Sequence, residues 1–173
     1  ATASRDRERE LVERLRGADS GERAVAAVAL RAEGLFAGSP FAVLHVEIDR
    51  GGEPATEEDP VALAAAIAAA RSRRASHDAL SMEHRDHAVL LVAEAQPDAA
   101  EEAFLALGEA LRTDVLRATD AERCWVGVAR VRTDLRTHVA KGGALPASVV
   151  SELEDGLDAA AHRITTALAA LGH

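Results

Sequence analysis

The chain has 173 residues and a formal net charge of −9; 48% of the residues are hydrophobic but only 2% are aromatic. The length fits one domain of ordinary size. The negative charge and the shortage of rings exclude direct nucleic-acid binding, because a negative surface repels phosphates and bases need rings to stack on. The sequence lacks both a signal-peptide pattern and an apolar run of the roughly 20 residues that span a bilayer, so we expect a cytoplasmic protein. The single cysteine, Cys124, is expected to be a buried thiol.

Two helices are predicted before the first strand. The second runs from Glu22 to Ala32. The first, from Ser4 to Arg16, carries a narrow apolar stripe: Leu11, Val12 and Leu15. Such a stripe needs a partner, and two alternatives remain: the helix docks on its own domain, or it pairs with the same helix of a second copy. We expect a homodimer that uses the helix Arg5 to Arg16 together with the domain body.

After these helices the patterns predict the order β-α-β-β-α-β-α. The segments are Phe41 to Ile48, Asp59 to Arg74, Ala79 to Met82, Ala88 to Ala93, a helix from Asp98, Cys124 to Val131, and about Ala147 to Leu171. Asp59 is expected to cap its helix, and Gly127 to permit a bend or the close approach of a helix.

This order predicts an α+β fold of the ferredoxin-like, nucleotide-cyclase-like class. Its sheet is a split βαβ antiparallel sheet with helices on one face, to which the N-terminal helices are added. We divide the chain into a helical lead-in, residues 1–38, and an α+β domain, residues 39–173.

Two stretches of sequence support a family resemblance: RERELVERLRGADSGERAVAAVALRAEGLFAGSPFAVLHVEID and WVGVARVRTDL. They resemble the GGDEF-like domain of bacterial transcriptional regulators of the PucR/CdaR type, over most of the chain. The resemblance implies a domain for signal transduction that relays or assembles and does not catalyse. It also implies a relationship to the GGDEF nucleotide cyclases, whose site residues can be compared with those of this chain.

The cyclase site is only partly matched. Glu47 and Asp49 stand where active cyclases hold Mg²⁺, and both are expected on one face of the strand because side chains alternate. The hairpin tip, EHRDH at residues 83–87, keeps one acidic position, Asp86, and lacks the glycines that let a nucleotide approach. We therefore predict no enzyme activity, no catalytic residue and no cofactor, and Glu47, Asp49 and Asp86 as candidate ligand-binding residues. The alternative is a degenerate domain that senses GTP or a cyclic dinucleotide without turnover.

Other polar clusters are interpreted as structural. Side chains near the hairpin include types that bind Zn²⁺: His77, Asp78, His84, Asp86 and His87. A tight turn gives them no fixed scaffold, so a solvated tip is favoured and no metal is predicted. His138 and Lys141 are expected to flank a flexible glycine loop.

Overall fold

A computed structural model describes residues 2–33, 41–50, 52–74, 78–93, 100–121, 123–130, 136–141, 155–160 and 162–164. The elements in chain order are α1 Thr2–Arg16, α2 Ser20–Ala32, β1 Phe41–Asp49, α3 Glu58–Arg73, β2 Ala79–Glu83, β3 His87–Ala93, α4 Ala100–Ala118, β4 Arg123–Arg130 and β5 Arg136–Lys141. Residues 155–160 and 162–164 are also helical, within the predicted last helix. The rest of that helix, Asp98 and Val131 lie outside the described residues.

The strands form one sheet in the order β2-β3-β1-β4-β5, and every neighbouring pair is antiparallel. Strand β3 separates β1 from β2, and β1 separates β3 from β4, which is the split βαβ arrangement. The predicted α+β fold is confirmed. One element differs from expectation: His138 and Lys141, expected to flank a loop, belong to the edge strand β5. Its sequence, RTHVAK, contains no apolar run that would predict a strand.

Helices cover both faces of the sheet. Alternate residues of a strand face opposite layers, so Leu44 and Val46 of β1 pack with residues of α3 and α4, whereas Val43 packs with α1 and α2. Leu157 and Ile164, from the C-terminal helical residues, pack on the same face of the sheet as α1 and α2, and we call this side of the molecule the second layer. Helices α3 and α4 lie on one face, as expected for the split βαβ arrangement; the lead-in helices lie on the other face, together with the described residues of the last helix, which was expected beside α3 and α4. The division at residues 38 and 39 stays a prediction.

Of the two alternatives for α1, the structure shows docking on its own domain. Leu11, Val12 and Leu15 are buried, with 5%, 0% and 0% of their surface exposed. An ion pair between Arg7 and Glu33, 3.0 Å apart, joins α1 to the end of α2. The apolar stripe of α1 is therefore used inside the chain.

Glycines allow two close approaches to the sheet. A Cβ on Gly127 of β4 would lie 2.6 Å from Leu157 Cδ2 and 2.8 Å from Trp125 Cζ2. A Cβ on Gly108 of α4 would lie 3.2 Å from a methyl group of Val128. The expected close approach at Gly127 is confirmed, and so is the burial of the Cys124 thiol, which lies on the same strand.

A buried ion pair fixes the loop between β1 and α3. Arg50 donates from Nε and Nη2 to the two carboxylate oxygens of Asp59 at 2.7 and 2.6 Å, and its Nη2 lies 2.7 Å from Asp120. The fully buried Asp59 also accepts the backbone N–H of Thr56 at 3.1 Å. Asp59 thus lies inside the first turn of α3, where its carboxylate accepts the N–H of Thr56 from just before the helix, and it is not the expected cap before the helix.

Candidate functional site

The end of β1 carries the two carboxylates that the sequence singles out. Glu47 and Asp49 lie on one face, as predicted, together with His45. A carboxylate oxygen of Glu47 lies 2.8 Å from His45 Nε2, and Asp49 Oδ2 lies 2.8 Å from Arg123 Nε on the neighbouring strand β4. Both carboxylates are therefore in polar contact with side chains of this chain.

The hairpin tip between β2 and β3 lies beside this end of β1. The turn is closed by the N–H of His84, which donates to the carbonyl of His87 at 2.8 Å. The N–H of Ile48 donates to the carbonyl of Asp86 at 2.9 Å, which ties β1 to the tip. The structure therefore brings Asp86 to the same end of the sheet as the two strand carboxylates.

Rings from three elements form a row across this end of the sheet. The centroids of His84 and His87 are 4.7 Å apart, and His87 stacks on His45 at 5.3 Å with an interplanar angle of 10°. His45 in turn lies 5.9 Å from Trp125 of β4. The row links the hairpin tip, β1 and β4, and we call it the histidine row.

Each imidazole of the histidine row has its own carboxylate. His45 pairs with Glu47, and His87 Nδ1 lies 2.9 Å from a carboxylate oxygen of Asp86. The carboxylate of Glu13, on α1, lies 3.1 Å from His84 Nε2. The last contact ties α1 to the hairpin tip, so the histidine row connects the lead-in to the sheet.

The electrostatics of the row favour neutral imidazole at its centre. Burial lowers the pKa of His87, the hydrogen bond with Asp86 raises it, and the charges of His45 and His84 lower it again. A proton on one ring disfavours a proton on the next, because like charges at this separation repel. The chemistry that this arrangement supports is proton uptake as the pH falls.

The row also shows what sequence reasoning misses. His45 has a signal in the sequence, because it stands two residues before Glu47 and so shares its face. Trp125 and Glu13 have none, since they reach the row through strand pairing and the docking of α1. Of the five side chains considered for a metal, His77 lies outside the described residues. Across the described part of the chain, no three His, Cys, Asp or Glu side chains are placed to hold a metal ion.

A groove of about 570 Å³ lies between α1, α3 and the edge strand β2, and its lining includes His84 of the histidine row and the adjacent Arg85. Pro60, Ala64 and Ile67 of α3 form an apolar floor, and charged side chains such as Arg9 and Arg85 form the rim. Among the described residues that line it, Glu47, Asp49 and Asp86 are absent. The three predicted ligand-binding carboxylates are therefore not part of the described lining of this groove, although Asp86 directly follows Arg85, which lines it.

Side chains bind the outer backbone groups of β2 beside this groove. Arg71 donates to the carbonyl of Ala79 at 3.1 Å, and Arg9 donates to the carbonyl of Glu83 at 2.6 Å. Between them, the N–H of Ser81 donates to the carboxylate of Glu8 at 3.3 Å. Side chains of α1 and α3 thus bind the outer backbone groups along the β2 edge of the sheet.

Residues 16–138, from the end of α1 into β5, match the family described as the GGDEF-like domain. This chain belongs to the GGDEF-like domain family. No curated protein matches the sequence. Among the described helices, none is both long enough and apolar enough to cross a membrane.

The GGDEF-like chain is also similar to two solved structures of a phage SAM lyase. The complex with S-methyl-5'-thioadenosine is 14% identical, with a TM-score of 0.39, and the match covers 64% of this chain and 96% of that one. The apo lyase is 16% identical, with a TM-score of 0.36 and the same coverage. Likenesses this distant transfer no activity, ligand or residue to the GGDEF-like chain.

The prediction that the chain is not an enzyme is corrected. It rests on the lost cyclase signature at residues 83–87, yet both of the similar solved structures are of an enzyme, a lyase. The lost signature removes one family's chemistry and does not exclude catalysis by other residues, so the prediction is withdrawn. No activity is assigned in its place.

Proposed function

We propose that this GGDEF-like domain is a regulatory and dimerisation module of a bacterial transcriptional regulator of the PucR/CdaR type. Family membership over residues 16–138 supports the regulatory part. The observation that carries the proposal is the docking of α1 and α2 on the same sheet, with the Glu13 contact to the histidine row. Because the lead-in helices contact the sheet and the hairpin tip directly, a movement of these helices can be transmitted to the sheet.

The outward side of the lead-in supports assembly. The apolar stripe of α1 is buried, and the exposed side chains described on α1, such as Glu10 and Glu13, are charged. The adjoining helix α2 exposes Val25 and Val28, with 57% and 54% of their surface accessible, and Ala24 on the same side. Exposed valines at helical spacing suit a helix-to-helix contact. We therefore place the dimer contact on α2, next to the helix Arg5 to Arg16.

Oligomeric state tests this proposal. Sedimentation equilibrium over a wide concentration range is expected to show a dimer for the unmodified chain and a monomer for the double variant Val25→Glu, Val28→Glu. The matched control is Val61→Glu, because Val61 on α3 is also exposed, at 69%, but lies away from α2. A monomer at every concentration, or equal dimerisation of all variants, contradicts the proposal.

The groove favours a second candidate function, binding of GTP or a cyclic dinucleotide. Its lining includes Arg9, Arg71 and Arg85, and guanidinium groups bind phosphate well. Arg9 and Arg71 also donate to backbone carbonyls of β2, and Asp6, Glu8 and Glu83 line the same groove, so Arg85 is the guanidinium to test first. Calorimetric titration with GTP and Mg²⁺, and separately with a cyclic dinucleotide, tests it, and two variants locate the ligand. Loss of binding in Arg85→Ala with retention in Asp49→Ala places the nucleotide in the groove, and the reverse places it at the end of β1. No heat with either nucleotide class rejects the candidate.

A further inference from the structure

A small cavity lies inside the second layer of the molecule, apart from the groove. Its volume is about 130 Å³, and it lies between the end of α1, the central strands β1 and β3, and the C-terminal helical residues. Val43, Val89, Leu157 and Ala160 supply apolar walls, and Arg16 and His45 are its polar members. One water occupies about 30 Å³ of the liquid, so the space equals about four waters.

Arg16 is half-buried beside this cavity. Burial lowers the pKa of the guanidinium, Glu13 one turn earlier raises it, and Arg163 lowers it. Within the described residues its side chain makes no hydrogen bond and no ion pair, although Arg14 on the same helix pairs with Glu10 at 2.6 Å. A half-buried cation without a direct partner is costly, and an anion in the cavity would relieve that cost.

A second guanidinium strengthens the positive potential at this point. Arg163 donates to the backbone carbonyl of Arg16 at 2.8 Å, which holds the two arginines side by side. The carboxylate of Glu13 contacts His84, and that of Glu47 contacts His45 Nε2, so both carboxylates are in contact with imidazoles. Arg16 thus lines the cavity with a charge whose burial outweighs the attraction of Glu13, in a chain whose overall charge is −9.

We propose that this cavity binds a small carboxylate with a short apolar body, of the size of butyrate. The carboxylate binds the Arg16 guanidinium, whose planar donors match two oxygens. The alkyl group packs against Val43, Val89 and Leu157, where it leaves water. This site is separate from the dimer contact on α2 and from the groove, so the inference does not depend on the proposed function.

Calorimetry with butyrate tests the site, with 1-butanol as a probe that has the same alkyl body and no charge. The unmodified chain is expected to bind butyrate and not 1-butanol. Arg16→Met keeps the apolar stem and removes the charge, and is expected to weaken binding at least about tenfold. Arg14→Met, on the same helix but facing Glu10, is the control and is expected to bind as the unmodified chain does.

A second measurement locates the ligand. Isotope-filtered nuclear Overhauser effects are expected between butyrate and the methyl groups of Val43 and Val89. Far-ultraviolet circular dichroism checks that Arg16→Met is folded. Absence of butyrate binding, unchanged affinity in folded Arg16→Met, or Overhauser contacts elsewhere on the chain would each overturn the proposal.

Discussion

The indole ring of Trp125 lies over Gly127, its neighbour two residues along the same face of β4. Both residues pair with β1, Trp125 opposite Glu47 and Gly127 opposite His45. The missing side chain of Gly127 leaves room for the ring and for Leu157 from the C-terminal helical residues. This one position therefore sets how the second layer packs and where Trp125 meets the histidine row.

Gly127→Ala is expected to lower the free energy of unfolding by about 1–3 kcal/mol, because the added methyl group overlaps the Trp125 ring and Leu157. Urea denaturation measures the loss. Gly156→Ala is the matched control: a Cβ there meets no atom within 4 Å and the residue is helical, so stability should stay level or rise by about 0.5–1 kcal/mol. Equal effects of the two substitutions would argue against steric crowding at Gly127.

Asp59→Ala is expected to cost about 3–5 kcal/mol, because it leaves Arg50 without its buried partner. Asp114→Ala breaks the more exposed pair with Arg73, 3.2 Å apart, and should cost about 1 kcal/mol or less. Denaturant unfolding at neutral pH compares the two. Similar small losses would show that the Asp59 pair contributes little.

The same carboxylate predicts an acid limit to stability. The hydrogen bond from Arg50 lowers the pKa of Asp59, burial raises it, and the bonds from Thr56 lower it. Because the net shift is downward, its contribution is complete above the unfolded-state pKa of about 3.9 and is lost as the pH falls through the folded-state pKa. As the pH decreases through this range, the melting temperature of the unmodified chain should decrease, and that of Asp59→Asn should decrease less. If the melting temperatures of both proteins decreased equally with pH, Asp59 would not be responsible for the loss of stability in acid.

His87 predicts a second pH dependence, nearer neutrality. Burial is the first cause that lowers its pKa, so the unfolded chain takes up this proton at a higher pH than the folded chain does. Stability should therefore decrease as the pH falls below about 6.5. His87→Gln should flatten the fall between about pH 7 and 5, while exposed His162→Gln should leave it unchanged. An identical slope in all three proteins would show that His87 is not responsible.

The Cys124 thiol should not react in the folded protein. Burial raises its pKa to about 12, with Arg112 lowering it and Glu47 raising it, and the thiolate is the reactive form. Ellman's reagent at mildly alkaline pH is expected to detect no thiol in the native chain and one thiol per chain in denaturant. Rapid reaction of the native protein would mean that β4 opens readily.

Much of the fold could be predicted from the sequence because local patterns fix it. The apolar run at Phe41 to Ile48 has the length and composition of a buried strand, and the helical spacing around Phe104 identifies α4. Strand β5 lacks such a signal and exists through its pairing with β4. The docking of α1 could not be decided either, because a narrow apolar stripe suits any apolar partner and only the folded sheet supplies this one.

The site was less predictable, since its geometry depends on register. Alternation alone places Glu47 and Asp49 on one face. The stack of His45 on His87 requires β3 to pair with β1 so that Glu47 lies opposite His87. Arg123 reaches Asp49 in the same way, from the other neighbouring strand. Pairings between distant segments leave no trace in the spacing of either one.

The contacts along the outer edge of β2 limit how copies of this sheet can associate. Arg71, Glu8 and Arg9 bind backbone groups that an incoming strand would need. An aggregate that grows by strand addition needs two exposed edge strands on every copy, and exposed edge strands are where such growth starts. Among the described strands, β5 forms the other edge of the sheet, so with the β2 edge occupied strand addition to this sheet is directed to β5, and pairing of two β5 strands would end with two copies.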